Sequence, residues 1–218
     1  MAFPTVNAPY GLKPINLYGG TPFAGATRQY RIASAYDTSI FYGDPVEMVN
    51  SGTIIKSAIT TARATVTTSQ IIGVFLGCSY VNSQGQTIFA QYFPANTAAP
   101  TGTYITAYVS NDPDTLFKAV IATGATANDA TSGLLPSSTT EFTVIGTNVA
   151  LVQNSGLTNT GNSRVAVASS ATTGTLPMNV VDVVEETSYV NGSGNVVYPE
   201  IIVRWNFEIH TTTIASGV

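Results

Sequence analysis

From Gln29 onward, short runs rich in Val, Ile, Thr, Tyr and Phe alternate with clusters of Gly, Asn, Asp, Ser and Pro. Runs of this kind, bounded by turn chemistry, predict the strands of a sandwich or barrel. Gly43-Asp44-Pro45 opens a strand-like run at 46–49, and Asn50-Ser51-Gly52 turns the chain into a second run at 53–58, which predicts a hairpin. A second hairpin is predicted where runs at 71–81 and 87–93 flank Asn82-Ser83-Gln84-Gly85-Gln86. Residues 104–109 alternate Tyr104, Thr106 and Tyr108 with Ile105, Ala107 and Val109, until Asn111-Asp112-Pro113-Asp114 breaks the run. Further strand-like runs lie at 142–152, 164–168, 177–184 and 196–209, the last preceded by the turn Asn191-Gly192-Ser193-Gly194-Asn195. No window holds a clean helical period, so helix content should be low.

Residues 1–27 read differently. Pro4, Pro9, Gly11, Pro14, Gly19, Gly20, Pro22 and Gly25 forbid regular helix and interrupt strands, while Phe3, Tyr10, Tyr18 and Phe23 are spaced between them. This pattern suits an extended arm that lays aromatic side chains on another subunit, and equally a segment packed on its own domain. Residues 122–140 are small, polar and Gly-containing, which predicts a linker. The expected organisation is therefore an arm (1–27), a β domain (28–121), a linker (122–140) and a second β lobe (141–218), the lobes separate or packed as one. The fold class is all-β: short antiparallel strands forming a sandwich or barrel.

Composition strengthens the strand reading. The 32 Thr and 22 Val make polar and apolar positions alike β-branched. Charged residues are only 9% of the chain, far below the roughly 25% of an average soluble domain. With 21 aromatics and a mean hydropathy of +0.21, the chain has enough apolar area to fold. A net charge of −4, with eight Lys plus Arg scattered singly, gives no footprint for nucleic acid or an anionic membrane. No apolar stretch is long enough for a membrane-spanning helix. The N-terminus lacks the basic and apolar regions of a secretory signal, so synthesis and assembly in the cytoplasm are expected.

Candidate chemistry is sparse. The lone Cys78, in an apolar run, is expected to be a small buried hydrophobe. His210 has no evident partner for nucleophilic catalysis, and one Cys plus one His far apart do not make a zinc site. Asp112 and Asp114 suit an Asx-type turn better than a calcium loop. The pairs Asp44 with Glu47, and Asp182 with Glu185 and Glu186, single out no acid and nucleophile. No glycine pattern supports nucleotide binding. The expectation is a protein with no catalytic residues, no metal and no cofactor. Trp205, between Arg204 and Asn206, fits an interface anchor or a core residue.

Several motifs, taken in order, carry a resemblance. They are Ala8-Pro9-Tyr10-Gly11-Leu12-Lys13-Pro14 with Gly19-Gly20, Gly43-Asp44-Pro45-Val46, and Ile72-Gly73-Val74-Phe75-Leu76-Gly77-Cys78. Asn111-Asp112-Pro113-Asp114-Thr115-Leu116-Phe117, Thr160-Gly161-Asn162-Ser163, Leu176-Pro177 and Asn206 before the terminal Thr run follow. The ordered set resembles the head decoration, or cement, proteins of tailed bacteriophages. That resemblance implies a virion component on the capsid exterior that binds the major capsid protein and stabilises the shell, commonly as a homotrimer. It also implies a small β-barrel or β-tulip core. The alternative is a phage tail, fibre or adhesin module. On either reading the partner-binding candidates are Phe3, Tyr10, Tyr18, Phe23 and Trp205.

Overall fold

The computed structural model describes residues 9–60, 70–122, 144–168, 174–190 and 196–206. Phe3, His210, the turn at 191–195 and nearly all of the 122–140 segment lie outside these residues. Among the described residues fifteen strands follow in chain order: β1 Lys13–Leu17, β2 Arg28–Ile32, β3 Pro45–Met48, β4 Thr53–Lys56, β5 Gln70–Val81, β6 Thr87–Ala90, β7 Ile105–Ser110, β8 Thr115–Val120, β9 Asn148–Val149, β10 Leu151–Val152, β11 Ala166–Val167, β12 Met178–Val183, β13 Tyr189–Val190, β14 Val196–Val197 and β15 Glu200–Trp205. Among the described residues the only helical element is a 3-10 turn at Glu185–Thr187, and no helix is long and apolar enough to cross a membrane. The chain is all-β.

Two sheets organise it. The first has the order β3-β4-β2-β7-β5-β6, and β3 also pairs with β5. That extra pairing closes β3, β4, β2, β7 and β5 into a ring, a five-stranded barrel with β6 attached outside it. Closure satisfies the edges that an open sheet would expose. The two predicted hairpins form here, with Val46 opposite Lys56 and Ser79 opposite Phe89. The β2–β4 pair is parallel, which local patterning does not foretell.

The long strand β5 passes from β3 to β7 by bending at two register irregularities, one opposite the Val46/Glu47 step and one between Phe75 and Gly77. Gly73 sits at the first, with φ of +151°, and a Cβ there would lie 2.1 Å from the Ser110 carbonyl oxygen. Only glycine lets the two backbones approach so closely.

The second sheet is antiparallel in the order β1-β8-β15-β12-β9. The strand β8, grouped by the sequence with the 28–121 unit, lies between β1 and β15. An Asx turn makes the switch from barrel to second sheet: the Asp114 N–H donates to Asp112 Oδ1 at 2.9 Å, as the Asn-Asp-Pro-Asp pattern predicts.

The cores meet along β5. Ile72, Phe75 and Cys78 pack inside the barrel with Ile32, Val46, Ile54, Phe93, Ile105 and Val109. Ile71 and Val74 pack instead with Leu12, Phe117, Val180, Ile201, Val203 and Trp205 of the second core. A strand buried on both faces explains the nearly unbroken apolar run of β5.

Candidate functional site

Four of the motif groups noted above, dispersed from Tyr10 to Ser163 in sequence, converge where the barrel joins the second sheet. The Gly11 N–H donates to the Val165 carbonyl at 3.1 Å, and the Leu12 N–H to the Gly43 carbonyl at 3.0 Å. The Gly43 N–H donates to Phe75 O at 2.8 Å, and the Phe75 N–H to Asp44 O at 2.9 Å. The Tyr42 N–H reaches Gly161 O, and the Ser163 N–H returns to Tyr42 O. Gly11 has φ of +85°, and a Cβ there would stand 2.7 Å from Ser163 Cβ, so the crossing requires glycine.

Asp44 lies at the centre and is fully buried. Its Oδ2 accepts the Phe41 N–H at 2.9 Å and lies 3.1 Å from Lys56 Nζ; its Oδ1 accepts the Ser163 hydroxyl at 2.5 Å. Ser163 Oγ in turn accepts the Val165 N–H at 3.0 Å. Lys56 Nζ also donates to Asn154 O at 3.4 Å, and Asn154 Nδ2 to Arg164 O at 3.0 Å. Burial pushes the Asp44 carboxyl above the usual carboxylate range, against the pull of Lys56, Ser163 and the Phe41 N–H. These contacts tie Lys56 and Phe41 of the barrel side to Ser163 through Asp44, so the cluster is a clamp between the two halves. Beside it, Glu47 Oε2 accepts the Ser57 hydroxyl at 3.0 Å.

A second buried carboxylate holds the N-terminal segment. Lys13 and Lys118 face each other across β1 and β8, a like-charge pair that is unfavourable by itself. Glu200, 2% exposed, offsets it: its Oε2 lies 3.0 Å from Lys118 Nζ, and its Oε1 accepts the Tyr10 hydroxyl. Lys13 Nζ sits 4.2 Å from the centroid of the Tyr10 ring. Burial, then the bond to Glu200 and its charge, hold the Tyr10 phenol far above its usual range.

The predicted contact residues are therefore dispersed. Tyr10 is half-buried and tied to Glu200. Phe23 is half-buried, and its N–H donates to Ile15 O at 3.2 Å, so residues 21–23 lie along the outer edge of β1. Residues 9–23 thus belong to this chain's own fold. Tyr18 is 55% exposed and carries the Arg204 guanidinium 4.6 Å from its ring centroid. Trp205 is 4% exposed and packs edge-on against Phe117, with centroids 5.9 Å apart. The alternation of β15 turns Ile201, Val203 and Trp205 inward, so Trp205 is a core residue and not a surface anchor.

The exposed aromatics that sequence reasoning missed lie on or next to strands of the first sheet. Phe89 is 76% exposed and Tyr104 67%. Phe89, Ser79, Thr106 and Arg31 lie in register across β6, β5, β7 and β2. The Arg31 guanidinium donates to Thr106 Oγ1 at 2.8 Å and covers the Tyr104 ring at 4.5 Å. The signal for Tyr104 was its alternation with buried Ile105; for Phe89 none existed, because its neighbour Ile88 is also apolar. Among the described residues no group of three or more His, Cys, Asp or Glu side chains is placed to hold a metal ion. Comparison of the chain with protein-family models, curated proteins and solved structures returns no match.

Proposed function

We propose that this chain is a virion structural protein that decorates a bacteriophage capsid, binding the outer surface of the major capsid protein and stabilising the shell. The observation that carries the reading is the convergence at Asp44. The motifs that carry the resemblance, far apart in sequence, meet as the framework of one junction between barrel and second sheet. A resemblance lodged in residues that lay down the fold supports kinship of the fold itself more strongly than scattered letters would.

The surface chemistry fits the role. An Arg stacked on Tyr, and an exposed Phe in the same row of the sheet, have the composition of protein-binding hot spots. With few charges, attachment would depend mainly on apolar contact and only weakly on salt. A subunit that binds only the intact shell raises shell stability by mass action.

The test is to add purified protein to capsids that lack it. Saturable binding of many copies, with a higher shell melting temperature, is the expected result. Binding confined to tails or fibres, or absent, would reject the reading.

A further inference from the structure

The exposed edges of the two sheets are not treated alike. The β1 edge is covered by residues 21–23, with Pro22 bridged to Asn16, and proline deters further strand addition. At the other end of that sheet β9 has only two residues. The barrel strands are closed on one another. Among the strands of these two larger sheets that leaves β6, which pairs with β5 on one side and with no described strand on the other. It has four residues, Thr87, Ile88, Phe89 and Ala90, none charged and none proline. Its flanks are the exposed Gln86 and Gln91, and Phe89 is the most exposed large hydrophobic side chain among the described residues.

We infer that β6 is a self-association edge, which joins a second copy of this chain by antiparallel β6–β6 pairing about a two-fold axis. Charge compatibility selects the occupant. Pairing a strand with itself places each residue near its own copy, so any Lys, Arg, Asp or Glu would meet a like charge at an energetic cost. The segment from Gln86 to Gln91 contains none, and no proline, whereas the β1 edge carries Lys13 and is covered by Pro22.

Geometry supports the same occupant. A two-fold axis perpendicular to the sheet keeps the outward faces on one side. With the axis at Phe89 the two Phe89 rings stand directly opposite each other; with the axis at Ile88 each faces Thr87 and the rings meet diagonally, within reach of aromatic side chains. Either register continues the row of Phe89, Ser79, Thr106 and Arg31 onto the second copy and shields part of the Phe89 ring from water. The contact is isologous, so it closes at two copies. One strand pair buries less than the roughly 1,200–2,000 Å² of a standard stable interface, so the dimer should be weak and concentration-dependent.

Sedimentation velocity on the full chain, from low micromolar to near-millimolar concentration, tests this. The expected result is a shift from one to two chains, abolished by Phe89→Lys with unchanged thermal melting, because Phe89 is mostly solvated in the single chain. Phe89→Cys should give a covalent dimer on mild oxidation, while Tyr104→Cys, also well exposed but away from the edge, should not. A wild type that stays monomeric throughout, a closed trimer, or a dimer indifferent to Phe89→Lys would overturn the inference. None of these results depends on the capsid, so failure here is distinct from failure of the decoration reading.

Discussion

Asp44→Ala tests whether the clamp holds the two halves of the fold together. The substitution leaves the Lys56 ammonium, the Phe41 N–H and the Ser163 hydroxyl without their shared acceptor, in a site where Asp44 has no exposure and Lys56 little. Removing one partner of a buried pair costs about 3–5 kcal/mol, and a buried donor left unpaired about 1–3 kcal/mol. The same desolvated groups enter both figures, so they do not add. Because Lys56 keeps some contact with water, the lower end, about 3 kcal/mol, is expected. Trp205, the one tryptophan and a core residue, reports unfolding by fluorescence. With a urea slope of roughly 2–3 kcal/mol/M, the midpoint should fall by about 1–1.5 M. Asp37→Ala, at an exposed turn where Asp37 bonds only to Thr38 in the described contacts, is the control and should stay within about 0.5 kcal/mol of wild type. If Asp44→Ala matches that control, the clamp contributes nothing and the reasoning fails.

Lys56→Met removes the strongest downward pull on the Asp44 carboxyl and leaves burial to raise it further. A carboxyl raised in the folded state binds its proton more tightly there than in the unfolded chain, so stability falls as pH climbs from about 3.9 through the folded value. The deficit of Lys56→Met relative to wild type should therefore be small at acidic pH and larger at neutral pH; a pH-independent deficit in urea titrations contradicts the assignment. Trp205→Ala should cost about 3–5 kcal/mol by emptying the space against Phe117, and a variant as stable as wild type would place Trp205 outside the core. Burial pushes the Cys78 thiol up to about 12, so thiol reagents at mildly alkaline pH should label it only as fast as the barrel opens. Rapid labelling of the native protein would show the barrel interior to be accessible.

What was legible in the sequence was local. The hairpins at Asn50-Ser51-Gly52 and at 82–86 form because turn chemistry and flanking alternation agree within a few residues. Strand β8 went unassigned: it follows directly on the Asx turn, and only pairing with Lys13–Leu17 and Glu200–Trp205 assigns it to the second sheet. The breakers of residues 1–27 suggested an arm, yet Leu12 is fully buried and β1 is a sheet strand, because Gly11 and Pro14 shape a crossing and do not prevent one. At the junction, Asp44 looked like an ordinary turn residue. Its partner Ser163 is 119 positions away, and no periodicity links them. Trp205 was ambiguous because its neighbours Arg204 and Asn206 are polar, and the alternation that buries it is the same one that exposes Arg204.

The proposed decoration role is tested most directly by cryo-electron microscopy of bacteriophage particles purified from a source that expresses this chain. The account predicts density for the barrel and second sheet on the outer face of the capsid lattice, in many copies. Density restricted to the tail or its fibres, or a shell with bare outer surfaces in particles that contain the protein, would contradict it.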